Sequence, residues 1–157
     1  RRFYHEELGY NFRMSNLQAA VGVAQLEKIE EHLKLKRETG RSYQEKLKGV
    51  QGIQLPLEQT EYAQNLYWVF GLVLDKDVSW NAQEMMKKMM ERNIGCRSFF
   101  YPMHLQPVFR KMGLFIGESY PVAENLGERG FYIPSGLGLT EEQRGYIAEQ
   151  VRDCIRQ

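Results

Sequence analysis

Two stretches of the chain carry polar side chains where packing alone does not ask for them. In the opening run, Tyr4, His5, Tyr10, Asn11 and Arg13 precede a helix start at Ser15. The amide of Asn11 and the guanidinium of Arg13 are donors suited to a phosphate, and Asn can donate without imposing a charge. The same groups can instead tie the loop to its own backbone, and the local pattern leaves both readings open. The second stretch, "CRSFFYPMHLQP", sets Arg97, Tyr101, His104 and Gln106 at and just beyond a predicted strand end. Binding groups concentrate in such loops, although these polar side chains can also simply face water, with Phe99 in the core.

No standard catalytic set accompanies them. The sequence has no glycine-rich nucleotide turn after a strand, no phosphate loop, no HExxH and no CxxC. His5, His32 and His104 are too dispersed to suggest a metal site. Cys96 and Cys154 are far apart, and they read as reduced thiols rather than a disulfide or a nucleophile. Motif physics by itself therefore indicates no enzyme class.

The elements that must position these groups follow from periodicity. Ser15 with Gln18 forms a capping box ahead of an apolar helical pattern at Leu17, Ala20, Val21 and Ala24. Helical spacing continues to residue 48, with a bend expected at residues 27–31 and Gly40 inside the second part. Strands are predicted at residues 52–56, 66–74, 96–101 and 131–134. Between them, a helix over 82–93 starts at Ser79 or Asn81 and presents Met85, Met86, Met89 and Met90 as core or interface filler. After Tyr101, prolines argue against regular structure, a short helix runs from Pro121 to Gly130, and "TEEQ" caps a terminal helix. The order implies an α+β domain, with a small, mostly antiparallel sheet and helices packed on one face.

Composition limits the partners. Twenty-one basic residues against twenty acidic leave a net charge of +1, which argues against a nucleic-acid binder. No apolar run reaches the roughly 18 residues that span a bilayer. The opening "RRFYHEEL" is no signal peptide, so a cytoplasmic location and no membrane partner are expected. Lacking an initial Met, the chain reads as a piece of a longer one.

Taken together, the stretches resemble one family. "HEELGYNFRMSNLQAAVGVAQLEKIEEH" is similar to the start of the C-terminal region of the DegT/DnrJ/EryC1/StrS family, pyridoxal-phosphate-dependent sugar aminotransferases of fold type I. The family pattern G-x-N-x-R-M falls on Gly9, Asn11, Arg13 and Met14, followed by Leu17, Ala19, Ala20, Gly22, Gln25 and Leu26. "NIGCRSFFYPMHLQPVF" resembles its G-I-x-x-x-x-x-Y-x-P-x-H segment. "PVAENLGERGFYIPSGLGLTEEQ" resembles the closing segment, with Ile133 in the usual leucine place.

The resemblance implies amino transfer from glutamate to a keto sugar, commonly nucleotide-linked, with pyridoxal 5'-phosphate (PLP) as cofactor and a homodimeric parent. The lysine that bonds to the cofactor lies upstream of this motif in the family. None of Lys46, Lys48, Lys87 and Lys88 fits its context. Residues 1–14 are thus expected to be a loop carrying the motif and residues 15–157 the small C-terminal domain, inactive without the lysine-bearing domain. Carried over by resemblance, Asn11 meets the phosphate of the neighbouring subunit's PLP, and Arg13 braces the loop or the dimer contact. Tyr101, His104 and Arg97 sit near the sugar nucleotide. The expected setting is amino-sugar synthesis for a surface polysaccharide or a glycosylated metabolite. Rival readings are the same fold acting on a cyclitol ketone, and a non-catalytic module that binds PLP or a partner. Uncovering the small-residue helix at 15–26 is expected to make the separate domain self-associate.

Overall fold

Three helix starts are fixed by reciprocal side-chain hydrogen bonds. In the computed structural model, which describes residues 2–156, α1 (Asn16–Leu26) begins where Gln18 N donates to Ser15 Oγ and Ser15 N donates to Gln18 Oε1. Asn81 and Glu84 do the same for α3 (Ala82–Met90), and Thr140 with Gln143 for α6 (Glu141–Ile155). Each box satisfies donors that a helix start leaves orphaned. α2 (Ile29–Leu47) follows α1 after a break at Glu27 and Lys28, within the expected bend. α4 (Pro107–Lys111) and α5 (Pro121–Arg129) each open on proline, whose missing N–H costs nothing at that position.

Four short strands, β1 (Ile53–Gln54), β2 (Phe70–Leu74), β3 (Arg97–Ser98) and β4 (Gly130–Ile133), form one sheet in the order β1-β2-β4-β3, antiparallel throughout. Phe70 stands opposite Ile133 and Leu72 opposite Phe131, so these four side chains and Leu74 share a face. They are buried with Tyr43 and Leu47 of α2, Met85 and Met89 of α3, and Ile147, Ala148, Val151 and Cys154 of α6. This is the α+β arrangement, with helices covering one side of the sheet. On the opposite side the Phe99 ring lies so close over Gly71 and Gly130 that a Cβ at either would stand 2.7 and 2.4 Å from it.

Several elements are shorter than periodicity suggests. The strand predicted from residue 66 starts at Phe70, because Tyr67 adopts a left-handed backbone (φ 51) that Asn65 Oδ1 supports by accepting from Tyr67 N. The strand predicted over 96–101 is reduced to Arg97–Ser98; Phe99 N still donates to Gly130 O, but Pro102 has no N–H to extend the ladder. The prolines after Tyr101 do not abolish helical turns. A single 3-10 turn (Met103–Leu105) and α4 occupy that stretch. The methionine stripe divides, with Met85 and Met89 in the core and Met90 59% exposed.

α1 stands apart from this core. None of its residues is buried, and Leu17 is 82% exposed. Before it, residues 2–15 contain no helix or strand. Among the described residues no helix is long and apolar enough to cross a membrane.

Candidate functional site

The two polar stretches, far apart in sequence, meet in the fold. Gln106, only 4% exposed, spends its whole amide on the junction. Its Oε1 accepts from His5 N (2.9 Å), and its Nε2 donates to Phe3 O (2.7 Å) and Tyr101 O (3.4 Å). Val108 N donates to His5 O, adding a backbone bond beside it. Phe3 packs on Phe100 with ring centroids 4.6 Å apart, and Tyr4 meets the edge of Tyr101 at 5.5 Å.

His104 is 4% exposed and turned inward. Its Nε2 lies 2.8 Å from Glu124 Oε1, and its ring meets the edge of Tyr120 at 4.9 Å. The same carboxylate oxygen accepts from Tyr120 N (2.9 Å) and Ser119 Oγ (3.1 Å). The backbone donor of Tyr120, then the His104 ring, hold the Glu124 carboxyl below its ordinary range, since hydrogen bonds to the ionised form favour it. One acidic oxygen on α5 thus ties together the loop before it and the turn after Tyr101.

Tyr101 borders two clefts. One, of about 650 Å³, is shared with Ser98, Phe99, Glu124 and Glu128; the other, of about 510 Å³, is shared with Tyr4, Pro107, Arg110 and Lys111. Arg97 is exposed on edge strand β3 and lines a separate cavity with Val69, Tyr132, Pro134 and Ser135. The structure therefore gathers Tyr101, His104 and the opening segment into one neighbourhood, and leaves Arg97 on another. Asn11 lies in the exposed loop beyond, flanked in sequence by Tyr10 and Phe12, whose rings pair at 5.1 Å.

Asn11 is exposed, so its amide N–H is open to an acceptor such as a phosphate oxygen. Covalent attachment of a cofactor is a different matter. A nucleophilic lysine needs a depressed pKa and a free amine. Burial does lower Lys36, but its Nζ is spent on Ser135 O (2.6 Å). Lys46 pairs with Glu141, and Lys88 lies over the Trp80 ring at 3.9 Å. Burial also pushes the Cys96 thiol up to about 12, which disfavours the thiolate that a nucleophile needs.

Glu124 stood in the sequence only as the glutamate of the family's closing A-E motif, with no role attached, because a carboxylate in a first helical turn reads equally well as compensation of the helix dipole. Gln106 was visible as a polar residue, but its partners at residues 3 and 5 could not be read locally.

A DegT/DnrJ/EryC1/StrS aminotransferase family model matches residues 1–152. GDP-perosamine synthase of Vibrio cholerae is 30% identical across 99% of this chain, which covers 40% of that protein. The putative pyridoxal phosphate-dependent aminotransferase EpsN of Bacillus subtilis is 32% identical across 94% of the chain and 37% of its own length. This chain thus spans about 40% of the curated relatives it matches. Among solved structures, PseC of Helicobacter pylori, an aminotransferase involved in pseudoaminic acid biosynthesis, superposes with a TM-score of 0.80 at 18% identity. It covers 96% of this chain and 40% of PseC, a likeness of fold.

Proposed function

Because the chain belongs to the DegT/DnrJ/EryC1/StrS aminotransferase family, we propose that it is the C-terminal domain of a PLP-dependent enzyme that moves an amino group from glutamate to a keto sugar. The sugar is nucleotide-linked, the pathway is amino-sugar biosynthesis, and the working enzyme is a cytoplasmic homodimer. The observation that carries this reading is the family match over residues 1–152, supported by relatives that include GDP-perosamine synthases.

Residues 1–14 form the loop that serves the neighbouring subunit, and residues 15–157 the small domain. PLP, held by a lysine outside this chain, supplies the electron sink that such an amino transfer needs. This chain's residues bind and orient. Asn11 donates an amide N–H to the phosphate of the neighbouring subunit's cofactor, and Arg13 braces the loop at the dimer contact. Tyr101 offers its hydroxyl to the sugar nucleotide. His104, tied to Glu124, fixes the turn that follows Tyr101 and so shapes the same wall. Arg97, on the exposed edge of the sheet, supplies a cation for a nucleotide phosphate. The exposed apolar side chains of α1 are covered by the rest of the dimer.

The test is to incubate the full-length protein with PLP, glutamate and a panel of nucleotide-linked keto sugars. Release of 2-oxoglutarate that depends on one of the sugars supports the reading. A PLP-loaded protein that releases none with any sugar refutes it.

A further inference from the structure

We infer that Gln106 is a positioning residue for the cofactor-phosphate contact, because its buried amide clamps residues 3–5 and so sets where the Asn11 loop leaves the domain. The inference rests on the phosphate role proposed above for Asn11.

The clamp imitates a strand. A neighbouring strand in a sheet is met by an acceptor and a donor on alternate residues of the same edge. Here Phe3 O and His5 N are met by Nε2 and Oε1 of one side chain. The third bond, to Tyr101 O, ties the clamp to the loop it springs from. Val108 N to His5 O continues the pairing, and the Phe3–Phe100 and Tyr4–Tyr101 ring contacts flank it. Phe3 is held at φ 60, a left-handed conformation that aromatic residues seldom adopt and that needs support from its surroundings.

Among the described residues of this chain, the far side of the loop has no comparable anchor. No residue of α1, which follows Asn11, is buried. Among the described residues, the last hydrogen bonds of the opening segment to the domain fall at His5 and Glu6, the latter through Lys111 Nζ at 3.5 Å. Within this chain the position of Asn11 is therefore set from the clamp forward, ahead of any contact made across the dimer. A local signal for this was absent, since the bonded residues lie 101 and 103 positions apart.

The test uses the full-length enzyme with PLP as the probe. Gln106→Glu keeps the acceptor for His5 N and loses both donated bonds. Its PLP dissociation constant should rise about tenfold, the scale of losing one or two net hydrogen bonds. Gln106→Met, which keeps the volume without the amide, should do the same. Asn11→Ala should weaken binding comparably, and the Gln106→Glu/Asn11→Ala double variant should be no weaker than Asn11→Ala alone, because the two act through one contact. Without PLP, hydrogen exchange at the His5 and Val108 amides should quicken about tenfold in Gln106→Met, which removes the acceptor of His5 N, while Leu72 and Phe131 in the sheet stay protected. Additive losses in the double variant, or unchanged exchange at His5, overturn the inference about Gln106 alone. An Asn11→Ala enzyme that holds PLP as tightly as the parent overturns the phosphate contact and the clamp's role together.

Discussion

Replacing Gly40 with alanine sets two effects of opposite sign against each other. Gly40 lies inside α2, where helix propensity alone makes alanine better by roughly 1 kcal/mol. The fold reverses that sign. A Cβ on Gly40 would stand 2.1, 2.2 and 2.6 Å from three ring atoms of Tyr67. Carbon atoms prefer about 3.5–4.0 Å, so the ring must retreat by more than an ångström. It has little room to do so: Tyr67 is 2% exposed and stacks on Phe70 at 5.8 Å, and Phe70 is itself fully buried. Overpacking of this kind costs about 1–3 kcal/mol, occasionally more. The propensity gain offsets only part of an upper-range clash, leaving a net loss of about 2 kcal/mol. For a chain of this size that is a fall in melting temperature of about 4–8 °C, read from far-ultraviolet circular dichroism. Gly40→Ala combined with Tyr67→Leu, which removes the ring from the clash, should recover part of the loss. A Gly40→Ala protein that melts higher than the parent would refute the packing argument, since propensity would then have won.

Three other outcomes follow from charge and burial. Lys46, Arg144 and Ser42 hold the Glu141 carboxyl down to about 2 from 4.5. A carboxyl lowered in the folded state stabilises above its unfolded pKa, and the gain is lost as pH falls from about 4.5 through about 2. Urea midpoints of Glu141→Gln should therefore fall less steeply than the parent's across that window; parallel slopes would contradict the ion pairing. Cys96, pushed up to about 12, should resist iodoacetamide at neutral pH in the native protein and react after unfolding, as followed by mass spectrometry. Rapid native labelling would show that the thiolate is accessible. In the full-length enzyme, His104→Ala should release the turn after Tyr101, raising the Michaelis constant for the sugar nucleotide and the exchange rate of the Val108 amide together. An unchanged Michaelis constant would separate His104 from the substrate wall.

What was legible in the sequence was local. The capping boxes at Ser15 and Thr140 depend on side chains three residues apart, so pattern alone located them. The core strand around Phe70–Leu74 and the helix before Gly95 were likewise visible from aromatic and β-branched composition and from the methionine stripe. Failures lay where a distant partner overrides a local preference. Tyr67 leaves the strand because its ring fills the space over Gly40, a contact across α2. The stretch 96–101 has strand composition, yet Phe99 folds over two sheet glycines and Pro102 ends the ladder. The site behaved in the same way. Asn11, Tyr101 and His104 stood out by type and family motif, whereas the Gln106 clamp and the three-donor oxygen of Glu124 exist only in three dimensions.

Nitrogen transfer tests the account most directly. The full-length PLP-loaded enzyme, given glutamate carrying heavy nitrogen and a nucleotide-linked keto sugar, should yield an amino sugar bearing that nitrogen by mass spectrometry. Loaded enzyme that leaves every such sugar unlabelled would contradict it.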